Sequence, residues 1–479
     1  MKQEKSKTIV PLYLPVVLAY LFSGLPTISY LIAWLGSFFI FYWTWFSPSV
    51  YFKTDLPIYR QIMRPIFLTQ FIFAGFMCCT SIFYFMDHLG YRYLTEVKQG
   101  LKFQGSEQTY LIAQCQRMCL LAHAAIVTGI IYKIKNEPTV VKNYATFTNH
   151  NYLIGLSLIS YIIGFICQYI PGLIQVAYPI IAVAVSCGAV LLVRGIQEKK
   201  MNYLMVGSFI FIGNFLNASL SGYKEPIIIN IIILGCLFLP HYKKVIIWLS
   251  IPIAYILLYF LPTYNTVVRQ SWSGDVSAEE ARTEAFETLL GNENQEVIEE
   301  TNWTFLTHRL SEMDMFTKFV KYVPAHRDYY GSEILADSFE ALIPRILWRN
   351  KPNMEEVSMA RVYEAGVVSR YSNVSAKTRP IVDAYLSWGI PGVFFTMVLY
   401  GIIMQSMCNL GEELFGSYEL GCVIVFNSLF QQMWRGNNFE FMINNFFYSA
   451  LIMIALCKLL IVLKILMPRF ALKKEQFLT

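Results

Sequence analysis

Lys377-Thr378-Arg379-Pro380-Ile381-Val382-Asp383-Ala384-Tyr385-Leu386-Ser387-Trp388-Gly389 is where a long polar block gives way to an apolar run that reaches Met407. About 18 or more mostly apolar residues read as a membrane-spanning helix, and Pro380–Met407 meets that criterion with Asp383 as its one charge. Eleven further runs lie outward of it: Thr8–Ser23, Pro26–Phe46, Ile66–Met86, Tyr110–Tyr132, Tyr152–Tyr169, Ile174–Val193, Asn202–Leu220, Pro226–Leu239, Val245–Leu261, Tyr418–Trp434 and Phe441–Leu466. The expected fold is an all-α integral membrane protein with about 12 transmembrane helices. Composition agrees. Of 479 residues, 56% are hydrophobic and 15% charged, with a mean hydropathy of +0.46. Ordinary soluble domains carry about 25% charge.

Lys and Arg in short loops set the orientation. Lys2, Lys5 and Lys7; Lys53, Arg60 and Arg64; Lys133, Lys135 and Lys142; Arg194, Lys199 and Lys200; Lys243 and Lys244; and Arg469, Lys473 and Lys474 share one side. The loop with Arg92, Lys98 and Lys102 is the exception. Both termini are therefore expected in the cytoplasm and Tyr264–Arg379 outside. Three parts result: a first membrane bundle, 1–263; an extracytoplasmic loop domain, 264–379; and a C-terminal bundle, 380–479. The net charge of +6 reflects the inner-loop bias and gives no nucleic-acid footprint. No small-x-small site follows the first span, which reads as a retained signal-anchor.

The outer block reads as several short helices. Ser277-Ala278-Glu279-Glu280 is a capping-box pattern before an Ala/Leu/Glu-rich run to Leu290. Gly291–Glu300 reads as an acidic surface loop. Helical stripes follow at Met313, Phe316, Val320 and Val323, then at Leu335, Phe339 and Leu342. The block has no Cys, and most of the ten Cys lie inside spans, which argues against a disulfide scaffold and a Cys-ligated metal. No phosphate loop, metalloprotease or serine-hydrolase motif occurs. Metal and cofactor are both expected to be absent.

Candidate chemistry gathers at the outer rim. Arg379 and Asp383 share a helix face, either as a local ion pair or as a phosphate-binding cation beside a carboxylate able to take a proton. Pro344-Arg345-Ile346-Leu347-Trp348-Arg349-Asn350-Lys351-Pro352 is either an interfacial basic cluster or a diphosphate clamp. His308-Arg309 offers an acid–base group beside a cation, and Arg435 and Glu440 flank a turn at the same level. Asp383, His308 and Glu440 are thus the candidate catalytic residues. Arg309, Arg345, Arg349, Lys351, Arg379 and Arg435 are the candidate diphosphate ligands.

The chain resembles the Wzy-type oligosaccharide repeat-unit polymerases (O-antigen polymerases). The resemblance rests on Arg309, on Pro344-Arg345-x-x-Trp348-x-x-Lys351-Pro352, on Asp383-Ala384-Tyr385-x-x-Trp388-Gly389-x-x-Gly392, and on the topology. It implies a GT-C-like glycosyltransferase of the bacterial inner membrane that acts without nucleotide sugar or metal. Its substrates would be glycans on undecaprenyl diphosphate, and its partners membrane lipid, a chain-length regulator and a flippase. A ligase that transfers finished glycan, a transporter or flippase, and a non-enzymatic scaffold are the alternatives.

Overall fold

The computed structural model describes residues 2–46, 56–93, 95–96, 106–135, 140–145, 151–170, 173–220, 224–268, 283, 295–344, 347–348, 350–371 and 376–469. Its principal helices are α1 Leu14–Leu21, α2 Pro26–Phe46, α3 Leu68–Leu89, α4 Glu107–Lys133, α5 Asn151–Gln168, α6 Ile174–Glu198, α7 Met201–Leu220, α8 Lys224–Phe238, α9 Lys243–Val268, α10 Gln295–Phe305, α11 Met313–Tyr322, α12 Glu333–Glu340, α13 Met354–Glu364, α14 Pro380–Phe415 and α15 Phe439–Val462. Among the described residues, nine helices are long and apolar enough to cross a membrane. The other three expected runs form the shorter apolar helices Lys7–Leu21, Glu225–Phe238 and Tyr418–Leu429. At ~1.5 Å per residue, each is shorter than a hydrocarbon core of ~30 Å. The outward faces are apolar, as a membrane-embedded protein requires: Trp248, Ile251 and Phe209 are strongly exposed.

α4 is the axis of the bundle, and α14 is its closest partner. Gly129 and Gly401 make this possible. A Cβ on Gly129 would drive into the Val398 carbonyl, and one on Gly401 into the Ile126 carbonyl. Small residues let two backbones approach in this way, replacing the hydrophobic drive that lipid does not supply.

α14 opens with Pro380 in the first turn, where its missing N–H costs no hydrogen bond. It breaks at Trp388 and Gly389, and Gly389 takes φ +65°, a conformation open chiefly to glycine. Pro391 cannot donate to the Ser387 carbonyl. The polar block satisfies the freed groups instead. Tyr330 N–H donates to the Leu386 carbonyl at 2.9 Å and Gly331 N–H to the Ser387 carbonyl at 3.0 Å. The Tyr385 hydroxyl donates to the Val323 carbonyl at 3.0 Å. The Tyr385-x-x-Trp388-Gly389 stretch is therefore the dock for the block.

Within the block, the stripe Met313, Phe316, Val320 and Val323 is buried as expected. Two expectations are corrected. Residues 295–300 are not a loop but belong to α10, because Ile298, Asn302, Phe305 and Leu306 form a buried helical face. In α12 the buried face is Ile334, Ser338 and Ala341, whereas Phe339 is 61% exposed, because the helix lies on α15 by its small side. The capping-box helix from Ser277 to Leu290 lies outside the described residues.

Candidate functional site

The site forms where α13, α14 and α15 meet. α13 starts at Asn353, whose side chain accepts from Glu355 N–H at 3.2 Å and donates to Glu356 at 3.0 Å. Two turns on, Arg361 projects from the inward stripe Ser358, Arg361 and Val362 and is 4% exposed. Its guanidinium donates to Glu440 Oε1 at 2.7 Å and lies 3.7 Å from Asp383 Oδ1. Both carboxylates are almost fully buried. Burial acts to lower the Arg361 pKa, but Asp383 and Glu440 outweigh it and hold the guanidinium above its ordinary value. Asp383 Oδ2 also accepts Phe439 N–H at 2.8 Å, so it caps α15 from a different helix.

Two carboxylates share one guanidinium, leaving one net negative charge. Among the described residues, Asp383 Oδ1, Glu440 Oε2 and both polar atoms of the buried Asn438 side chain have no hydrogen-bond partner. The same buried cluster holds the unpaired Arg361 Nε and the Thr378 hydroxyl, so it mixes spare acceptors with spare donors.

A cationic rim lies beside it. Arg379 donates to Glu312 at 2.7 Å and to the Gly436 carbonyl at 3.0 Å. Arg435 pairs with Glu225 at 2.9 Å. Lys377 stands 4.0 Å from the centre of the Phe441 ring, and burial pushes its ammonium pKa down. Next to this rim runs a cavity of about 540 Å³ between the first halves of α14 and α15. It is lined by Pro380, Phe395, Tyr400, Phe439, Met442 and Phe446, among others, and by Leu335 of α12. Phe395 and Leu399 on its wall are exposed, so the groove opens laterally.

The expected residues separate into four groups. Asp383, Glu440, Arg379 and Arg435 come together. Arg379 and Asp383 do not pair with each other; the expected local pair is replaced by Arg379–Glu312 and Asp383–Arg361. His308 and Arg309 sit on a π-helical turn, Leu306–Leu310, and are exposed; His308 contacts Asp314 at 3.6 Å. Lys351 is buried and donates to the Ala341 and Ile343 carbonyls at 2.7 and 2.8 Å, closing the end of α12. Arg345 and Arg349 lie outside the described residues. Outside these groups, Arg117 on α4 donates to Ser29 Oγ at 2.8 Å under the Tyr20 ring. Sequence reasoning missed Arg361 and Glu312. The available signal for Arg361 was an Arg at the apolar i, i+3, i+4 positions of a well-capped helix.

Fold and site define a polytopic helical membrane protein with a buried arginine–dicarboxylate centre at one end of its bundle. Residues 14–468 match the family described as Domain of unknown function (DUF8712), and the chain belongs to that family. Comparison with curated proteins finds no match, and comparison with solved structures finds none.

Proposed function

We propose that the chain is a membrane glycosyltransferase that polymerises undecaprenyl-diphosphate-linked oligosaccharide repeat units. The observation that carries this reading is the pairing of the Lys377, Arg379 and Arg435 rim with a laterally open apolar groove that starts at Pro380 and Phe439. Part of a polyprenyl chain would lie in the groove, with its diphosphate head toward the guanidinium forks. The resemblance to Wzy-type polymerases in the Asp383–Gly392 stretch supports the same class.

In the reaction, the acceptor hydroxyl oxygen attacks the anomeric carbon of the donor glycan. The bond from that carbon to the diphosphate oxygen breaks, and undecaprenyl diphosphate leaves with the electron pair. Arg379 and Arg435 stabilise the developing charge. The hydroxyl proton passes to the Asp383–Glu440 pair, whose single guanidinium leaves one carboxylate in excess. In this reading both termini lie in the cytoplasm of a bacterial cell and the chemistry occurs on the opposite face of the inner membrane.

The test is purified protein with a lipid-linked repeat unit, read on a gel. A ladder of chain lengths on carrier lipid is the expected result. A single transfer to a lipid A–core acceptor would make it a ligase. Lipid movement across proteoliposomes without new glycosidic bonds would make it a transporter.

A further inference from the structure

At the opposite end of α14, a second group of ionisable side chains takes no part in this chemistry. Cys408 and Glu412 lie one turn apart on α14. Cys422 comes from the π-helical segment Tyr418–Phe426, and Met63 from the chain before α3. All four residues are at most 2% exposed. Cys408 Sγ is 3.6 Å from Cys422 Sγ and 3.7 Å from Glu412 Oε1, and Cys422 Sγ is 3.6 Å from the Met63 carbonyl oxygen. The two thiol sulfurs and a Glu412 oxygen all lie within 4.8 Å of one another.

We propose that Cys408, Cys422, Glu412 and the Met63 carbonyl form a structural site for a zinc-class divalent cation.

The edges of the cluster carry the argument. With zinc–sulfur bonds of about 2.3 Å and zinc–oxygen bonds of about 2.1 Å, a tetrahedron places two sulfurs ~3.8 Å apart and a sulfur and an oxygen ~3.6 Å apart. Three of the six edges of such a tetrahedron, Cys408–Cys422, Cys408–Glu412 and Cys422–Met63, match these values to within about 0.2 Å, and the Cys422–Glu412 edge is at most 4.8 Å. The outer shell is also of the right kind. Arg64 donates to both Glu412 oxygens, at 2.8 and 3.1 Å, and Asn427 Nδ2 donates to the Cys422 and Met63 carbonyls at 2.6 and 3.2 Å and lies 3.6 Å from Cys422 Sγ. Hydrogen bonds of this sort orient a ligating carboxylate and stabilise a thiolate.

Charge balances as well. Arg64 offsets Glu412, and two thiolates offset a dication, so the loaded cluster is neutral in a buried setting. Binding converts two Cys thiols to thiolates and releases two protons to solvent. All four ligand positions come from the protein, which marks the site as structural rather than catalytic. It would fasten the pre-α3 segment, α14 and the π-helical segment together.

The test uses the full chain, purified in detergent from zinc-supplied cells and dialysed, with metal measured by mass spectrometry. About one zinc ion per chain is expected. Cys408→Ser and Cys422→Ser should lose it, and Cys167→Ser should keep it. Should the two cluster variants fail to fold, wild-type protein reconstituted with cobalt(II) gives the answer by itself, through tetrahedral ligand-field bands and a thiolate-to-metal charge-transfer band. Wild-type protein with neither zinc nor cobalt uptake overturns the proposal. So does a Cys408–Cys422 disulfide in peptide mapping, or zinc retained by folded Cys408→Ser and Cys422→Ser.

Discussion

Replacing Arg361 with Met keeps length and removes the charge from the centre of the site. Asp383 and Glu440 then remain as two buried carboxylates without the cation that contacts both, at 3.7 and 2.7 Å. Removing one partner of a buried ion pair costs about 3–5 kcal/mol, because an uncompensated charge stays in a poorly solvating interior. The geometry places Arg361→Met at the upper part of that range, since one guanidinium serves two acids. The same reasoning makes the cost dependent on Glu440. In the double variant Arg361→Met/Glu440→Gln, one of the stranded charges is gone, so the loss should be smaller than the sum of the single losses by about 0.5–3 kcal/mol. Unfolding in detergent micelles, followed by tryptophan fluorescence, measures all four corners of the cycle. An Arg361→Met protein within about 0.5 kcal/mol of wild type, the range of an ordinary surface change, would refute the account of a buried charge centre. A coupling of zero with Glu440 would refute it equally.

Arg379→Lys keeps the charge but loses the fork that reaches Glu312 and the Gly436 carbonyl; polymer on the gel should be lost in Arg379→Lys as in Arg379→Ala while micelle stability changes by less than about 1 kcal/mol. Asp383→Asn should lower polymer formation by roughly 10²–10⁴-fold, the range for loss of an acid–base group, in an assay of initial rate at saturating lipid-linked substrate. Gly401→Ala forces a methyl into the Ile126 carbonyl and should destabilise the bundle by about 1–3 kcal/mol or prevent its assembly, read by size-exclusion profile and unfolding midpoint. The His308–Asp314 contact should appear in a pH series of melting temperatures: the hydrogen bond to Asp314 raises the His308 pKa, so its stabilisation is complete below the ordinary His value of about 6.5 and is lost as pH rises through the raised value. Asp314 shows the opposite sign: burial would raise its pKa, but His308 and Lys318 outweigh it and hold it at about 2, so its stabilisation is complete above about 3.9 and is lost as pH falls through the lower value. His308→Gln should flatten the upper limb, and an unchanged limb would assign it to another group.

The helical bundle was legible in the chain because a membrane span must satisfy its backbone internally and present apolar side chains outward, and both demands are local. Pro380–Met407 shows this directly: it appears as the long helix α14, and the runs from Pro26 and from Phe441 appear as α2 and α15. The residue types at the rim were legible for a similar reason, since charges at the ends of apolar runs are rare and conspicuous. Their partners were not. The i, i+4 rule joined Arg379 to Asp383 because it knows only distance along one helix. In the fold, Arg379 turns to Glu312 and Asp383 to Arg361, from segments 67 and 22 residues away. Trp388-Gly389 could be read as a motif, but its function as the seat of Tyr330 and Gly331 depends on two carbonyls freed by a kink. The Cys408–Cys422 cluster was hidden for the same reason: no spacing rule brings a π-helical segment back against α14. Sequence alone thus determined which segments are helices and which side chains are chemically able. Tertiary structure alone decided which charges share a desolvated space, because burial and pairing depend on packing between distant elements rather than on order along the chain.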